Sequence, residues 1–196
     1  MSQFYLIRHG DHDWLKKGIA GRIAGVHLNA LGLAQAEALP QRLESVTFAK
    51  IITSPLERAI ETGAPLARAK GLAPVIAPEI NELDFGDWNG QLTEMLHADP
   101  RWADWVRHRS VRRMPGGELI TEVQARVVGF LERLHLENPH GHYALFSHGD
   151  SIRSALCHWM GLPLDLMPRL QVDPASISIL SLDERGPMVL GVNLTA

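Results

Sequence analysis

The sequence predicts an α/β fold: a three-layer sandwich with a mostly parallel central sheet, helices on both faces and a C-terminal β-hairpin. Three observations predict it. Short apolar runs alternate with amphipathic stretches along the 196 residues, the order of strand–helix–strand units. Two of the runs, at residues 4–7 and 143–147, end alike, in one polar residue followed by His-Gly-Asp. Near the C-terminal end, residues 176–182 and 188–194 flank Asp183-Glu184-Arg185-Gly186, which reads as a hairpin.

Taken in order, residues 4–7 form a strand that opens into a loop at Arg8-His9-Gly10. After Gly18, Gly21 and Gly25, Asn29 is placed to cap a helix carrying Leu31, Ala36, Leu39 and Leu43, which Pro40 should kink or shorten. Residues 50–53 read as a second strand. Ser54-Pro55-Leu56-Glu57 then sets Ser at the N-cap, Pro at the first helical position and Glu at the third. That helix should run to about Lys70 and stop at Gly71. Residues 74–77 read as a third strand, and residues 81–90 as a loop carrying an acidic residue and two aromatics. Residues 92–113 read as short helices with Trp102, Trp105 and Val106 on one face. Beyond Pro115-Gly116-Gly117, a long helix from about Glu118 spaces Ile120, Val123, Val127, Leu131 and Leu134 by three and four. Residues 143–147 are the fourth parallel strand, followed by a helix bearing Ile152, Leu156 and Met160.

Length and composition bound the function. One domain spanning 1–196 is expected, since a chain of this size closes a single core. No apolar run approaches the ~18 residues of a membrane helix. The opening run lacks a basic start and meets Arg8 at once, which points to the cytoplasm. Cys157 is the sole cysteine, so an internal disulfide and a multi-cysteine metal site are excluded, and a buried, inert thiol is expected. A formal net charge of −3 argues against a nucleic-acid partner, and any anionic small molecule must be met by a local cationic site. Homo-oligomerisation through the exposed hairpin edge stays open.

The two matched endings locate that site. Ligands of open parallel sheets bind beyond the carboxyl ends of the strands, so His9 and His148 should face one crevice. The glycine after each, Gly10 and Gly149, lets backbone approach an anion, which helix-opening amides favour. Either histidine alone reads as a polar strand end; two in matched contexts, one beside Arg8, read as a site. Arg58, in the first turn of the capped helix, offers a forked donor to a phosphate-sized anion, or else a solvated partner for Glu57 or Glu61. Glu82, beside Phe85 and Trp88, is a carboxyl whose proton affinity partial burial would raise, as a proton donor to a leaving oxygen requires.

Five blocks in order resemble the histidine phosphatase superfamily, which contains cofactor-dependent phosphoglycerate mutases and many small phosphatases. They are Leu6-Ile7-Arg8-His9-Gly10, Ser54-Pro55-Leu56-Glu57-Arg58-Ala59, the segment Glu82 to Gly90, Pro115-Gly116-Gly117-Glu118, and Ser147-His148-Gly149-Asp150-Ser151-Ile152-Arg153. The resemblance implies a division of labour. His9 attacks phosphorus and becomes phosphohistidine, Arg8, Arg58 and His148 hold the phosphoryl oxygens, and Glu82 protonates the leaving group before activating water. It implies no metal or other cofactor, because arginines supply the counter-charge. The substrate implied is a small phosphorylated metabolite.

Asp11 and His12 stand where many members carry a Glu-Thr or Gln-Ser pair, and Leu15 where they carry a phosphate-binding Asn. His12 is then either a substrate-facing substitute or an exposed residue. The chain is short between the third and fourth blocks, and Ala155-Leu156-Cys157-His158-Trp159-Met160-Gly161-Leu162-Pro163 is closer to the small phosphatases, including those acting on α-ribazole phosphate. Hydrolysis is therefore favoured over mutase-type transfer. In the basic run from Arg107 to Arg113, Arg112 and Arg113 are candidates for a second anionic group of the substrate, the alternative being a solvated basic face. Two other classes compete. A metallohydrolase could use His9, Asp11 and His12, although Arg8 would repel its cation. A non-catalytic phosphate-binding protein could share the fold, with Leu15 in its favour.

Overall fold

A computed structural model describes residues 1–195. In chain order the elements are β1 (Ser2–Arg8), α1 (Ala30–Arg42), β2 (Lys50–Thr53), α2 (Glu57–Lys70), β3 (Val75–Ile76), α3 (Thr93–Ala98), α4 (Pro100–Arg107), α5 (Ile120–Glu137), β4 (His142–Ser147), α6 (Gly149–Met160), β5 (Ile177–Asp183) and β6 (Gly186–Leu194). Single turns of tighter helix at Pro78–Ile80 and Gly86–Trp88, and a longer one at Leu164–Arg169, were not expected.

Successive strand residues point to opposite faces, and in β1 both faces are apolar, so the sheet needs cover on two sides. Phe4 and Leu6 join Tyr143 and Leu145 of β4 beneath α5 and α6, through Val123, Val127, Leu131, Ile152 and Leu156. Tyr5 and Ile7 join Ala144 and Phe146 beneath α1 and α2, through Leu39, Ala59 and Leu66. The spacing read in α5 is the spacing it buries: Ile120, Val123, Val127, Leu131 and Leu134 are all interior. Helix α1 departs from the expectation at one position. Its buried residues are Gly32, Ala36 and Leu39, while Leu31 is exposed, and Pro40 falls in its last turn. Gly32 packs its backbone against the loop after β1, which a larger side chain would prevent.

The six strands lie in the order β3-β2-β4-β1-β5-β6. The four from β3 to β1 run parallel, while β5 and β6 form the antiparallel C-terminal hairpin. The connection leaving β1 passes over β4 to reach β2, and the one leaving β4 passes over β1 to reach β5. The crevice of this sheet therefore opens where β1 and β4 end side by side. Their register pairs Arg8 with Ser147, so the next residues, His9 and His148, emerge together.

Residues 86–107 form a helical flap beside this crevice. Trp88 meets Trp102 and Trp105 edge to face, with centroids 5.3 and 6.0 Å apart, and Trp102 lies tilted against Trp105 at 5.2 Å. Asp99 ties the cluster down by accepting from Trp88 Nε1 at 3.0 Å and from the Arg101 amide at 2.9 Å. Cys157 is buried in the main core, and burial pushes its thiol upward, as an inert cysteine requires. Among the described residues no helix is long and apolar enough to cross a membrane.

Candidate active site

His9 leaves β1 with its amide bonded to the Ser147 carbonyl at 2.9 Å. Its Nδ1 lies 2.8 Å from the Gly10 carbonyl oxygen. A carbonyl can only accept, so Nδ1 carries the proton and Nε2 the lone pair. Burial first, then the charges of Arg58 and Arg8, hold the ring's pKa well below its ordinary value. The imidazole is neutral at physiological pH, with the lone pair on Nε2. Gly10 is required by contact: a Cβ there would stand 2.8 Å from the Gly32 carbonyl oxygen of α1. The Gly10 amide donates to Thr62 Oγ1 at 2.9 Å, and that hydroxyl donates to the Arg58 carbonyl at 2.6 Å. The loop after β1 is thus packed on the first turn of α1 and hydrogen-bonded to Thr62 of α2.

Arg58 is 1 % exposed. One guanidinium nitrogen donates to the Gly21 carbonyl at 2.7 Å and reaches His148 Nδ1 at 3.3 Å. Its Nε and Nη1 find no acceptor among the described residues, and neither does Nε of Arg8, whose Nη1 is held by the Val172 carbonyl at 2.7 Å. Leaving a buried cationic N–H unmatched costs more than leaving a neutral one. Three such groups close to a neutral imidazole can receive an oxyanion. Replacing Arg58 with Met is accordingly expected to lower kcat/KM on a phosphomonoester by about 10²–10³-fold. Wild-type Tm should rise with added vanadate, and the variant's should not. A variant that keeps the vanadate shift would contradict this reading of the socket.

His148 is fully buried and 5.2 Å from His9, ring centre to ring centre. Arg58 can only donate, so His148 Nδ1 accepts, and His148 Nε2–H donates to Ser54 Oγ at 2.7 Å. Ser54 passes its own proton to Asn81 Oδ1 at 3.2 Å. This corrects the expected capping of α2. Its N-cap is Leu56, with no side-chain bond, because the Ser54 hydroxyl is drawn into the site by His148. Burial, then Arg58, pushes His148 well below its ordinary pKa.

Glu82 lies across the crevice, with one carboxylate oxygen 3.9 Å from His148 Nδ1. Its side chain is 13 % exposed. Burial, then the nearby Asp150 carboxylate, pushes its pKa to about 7, against the opposing pull of Arg58. Its backbone is clamped rather than loose. The Glu82 carbonyl accepts from Arg22 Nε at 2.8 Å and Arg126 Nη2 at 3.1 Å, and both arginines reach Glu118.

Other candidates lie as follows. Gly149 opens α6, where a Cβ would stand 3.5 Å from Arg8 Nε. Arg112 and Arg113 do not join the cluster: they are exposed and ion-paired to Asp104 at 2.7 Å and to Glu122 at 2.6 Å. The candidate role for them is withdrawn, because both guanidinium groups are held by exposed carboxylates, Asp104 on α4 and Glu122 on α5. The residue of that run that turns inward is Arg109, stacked 4.1 Å from the Trp105 ring and 3.7 Å from Asp150, to which Arg153 also bonds at 3.1 Å. Sequence reasoning gave no role of their own in the site to Ser54, Asn81, Thr62, Asp150 or Arg126, and it named Arg109 only as part of the basic run; the four-residue spacing of Arg109 from Trp105 was the usable sign. Among the described residues, no group of three or more His, Cys, Asp or Glu side chains is arranged to hold a metal ion.

A doubly covered α/β sheet that presents a neutral imidazole and unmatched buried guanidinium groups at one strand-end crevice defines a class of protein that handles phosphate-sized anions. The sequence matches the model of the histidine phosphatase superfamily (branch 1) over residues 4–195, and the chain belongs to that family. It is 30% identical over 197 residues to phosphoserine phosphatase 1 of Hydrogenobacter thermophilus, covering 100% of this chain and 93% of that one. It is 33% identical over 184 residues to a protein of Yersinia pestis named probable phosphoglycerate mutase GpmB, covering 91% and 84%. The crystal structure of the α-ribazole phosphatase of Shigella flexneri superposes with a TM-score of 0.87 at 26% identity, over 98% of this chain and 96% of that one.

Proposed function

We propose that the protein hydrolyses small phosphomonoesters through a phosphohistidine on His9. The observation that carries this reading is the Arg58 guanidinium, buried with two unmatched nitrogens beside the uncharged ring of His9. In the first step His9 Nε2 attacks phosphorus, an N–P bond forms, and the P–O bond to the leaving alcohol breaks. Arg8 and Arg58 stabilise the charge spread over the phosphoryl oxygens. Glu82, protonated up to about pH 7, gives its proton to the departing oxygen. In the second step the Glu82 carboxylate takes a proton from water as water attacks phosphorus. The N–P bond breaks, and inorganic phosphate leaves. His148 acts chiefly on Arg58, accepting from it while donating to Ser54, and so fixes the guanidinium's aim.

The relatives named above act on phosphoserine and α-ribazole phosphate by name, and both names support a small phosphorylated metabolite as substrate here. Similarity to the Yersinia protein favours a second reading, in which a second hydroxyl rather than water takes the phosphoryl group. A panel containing phosphoserine, α-ribazole phosphate, 3-phosphoglycerate and p-nitrophenyl phosphate, assayed in ¹⁸O-water with and without chelator, separates the readings. Hydrolysis predicts released phosphate carrying one water-derived oxygen, at rates a chelator leaves unchanged. Isomerised product without that label would favour the mutase, and activity restored only by added divalent metal would overturn the mechanism.

A further inference from the structure

His12 is four residues past the end of β1's register, in a loop with no regular structure, and it is nevertheless 3 % exposed. Its ring centre lies 4.9 Å from that of His9, as close as His148 lies on the other side. The loop holds it there from both flanks. The Asp11 amide donates to Gln35 Oε1 at 2.8 Å, and the Asp11 carbonyl accepts from the Asn29 amide at 3.1 Å. Asn29 Nδ2 also donates to the carboxylates of Asp11 at 2.6 Å and Asp13 at 3.3 Å. Those two carboxylates are thereby drawn to the start of α1.

The ring's orientation follows from one bond. The Trp14 amide points at His12 Nδ1 from 3.2 Å, and an amide can only donate, so Nδ1 is the acceptor. The proton of the ring then sits on Nε2, the opposite tautomer from His9. Among the described residues nothing accepts from that Nε2–H, and it is not one of the atoms sealed from solvent. Solvent reaches that nitrogen, so its hydrogen bond is free to pass from water to an anionic ligand. Here one nitrogen is anchored and the other is left as an unused donor beside the nucleophile.

We infer that His12 is a substrate-binding residue that donates Nε2–H to an oxygen of the phosphoryl group being transferred to His9. The inference rests on the reading of His9 as nucleophile and adds a donor to the socket of Arg8 and Arg58. The residue works as a neutral donor. Burial first, then the charges of Arg58 and Arg8, hold it near pKa 4, while Asp11 and Asp13 oppose them weakly. An uncharged donor strengthens the grip on the oxyanion without adding a third cation that would bind phosphate product too tightly to leave.

The test compares His12→Phe with His12→Gln and His12→Asn, using orthovanadate as the probe. The Phe variant should bind vanadate about 10–100-fold more weakly and lose a similar factor in kcat/KM, the range for removing one donor to a charged acceptor. The Gln or Asn variant, which keeps an N–H donor, should recover most of the loss. In wild-type protein, ¹⁵N spectra should show Nε2 protonated and Nδ1 bare, and the Nε2–H proton should move downfield and become protected when vanadate saturates the site. This second readout does not depend on any variant folding. Vanadate affinity of the Phe variant within twofold of wild type, or an Nε2–H resonance unmoved at saturation, would overturn the inference. Wild-type protein that never acquires phosphate on His9 would sink the hydrolase reading itself. Labelled His9 together with unchanged vanadate binding in the Phe variant would sink only the role of His12.

Discussion

Replacing His9 with Ala is expected to lower turnover of every phosphomonoester substrate by about 10⁴-fold or more, within the range seen when a covalent nucleophile is removed. The size of the effect follows from the division of labour. Arg8 and Arg58 would still gather the phosphate, so binding of substrate or vanadate should survive. No other side chain, however, offers a bare nitrogen with its lone pair free at the same place: His148 Nδ1 is occupied by Arg58, and His12 Nδ1 by the Trp14 amide. The same variant carries a stability signature. His9 has a native pKa depressed below that of the unfolded chain, so its neutral form supports the fold above about pH 6.5, and that support is lost as pH falls. His9→Ala should therefore flatten the acid side of a Tm-against-pH curve. Equal acid sensitivity in both proteins would mean that His9 is not held neutral by its surroundings.

Glu82→Gln is expected to lower kcat by about 10²–10⁴-fold on alkyl phosphates, the usual contribution of a positioned general acid. On p-nitrophenyl phosphate, whose leaving group needs little protonation, formation of the phosphoenzyme should be affected far less. The wild-type pH profile should carry the same residue's mark. With its pKa pushed to about 7, Glu82 loses its proton above that pH, and kcat/KM should fall about tenfold per unit there. A bound phosphate dianion raises the carboxyl further, so the limb in kcat should lie at higher pH than the limb in kcat/KM. The effect on stability has a definite sign. The native pKa is raised, so the native chain holds a proton that the unfolded chain has released, and this advantage disappears as pH rises through about 7. Glu82→Gln should thus be the more stable protein at pH 8, by at most ~3 kcal/mol, while the difference narrows at pH 5. A variant less stable at both pH values, or an alkyl phosphatase as active as wild type, would contradict the assignment.

The parts of the fold legible in the sequence are those in which a local pattern and a global need coincide. The spacing from Ile120 to Leu134 is helical and is buried on one face. The Asp183–Gly186 turn does close a hairpin, with Gly186 at φ 109°. The repeated ending at His9 and His148 could be read because it is local to each strand, and its meaning depended only on both strands being parallel. What depended on distant partners could not be read. Ser54-Pro55-Leu56-Glu57 has the pattern of a helix cap, but the donor that competes for the Ser54 hydroxyl oxygen is 94 residues away at His148. Leu31 fits an amphipathic pattern that the close packing of Gly32 against the loop after β1 overrides. Within the basic run, composition cannot tell Arg109 from Arg112 and Arg113. Stacking on Trp105 turns the first inward, while Asp104 and Glu122 hold the others outside.

The most direct test is to mix the enzyme with ³²P-labelled substrate, quench within the first turnover and map the label by peptide sequencing. The proposed chemistry predicts an acid-labile, base-stable phosphoryl group on residue 9, forming and decaying at least as fast as turnover. Steady release of phosphate with no label on that imidazole would contradict it.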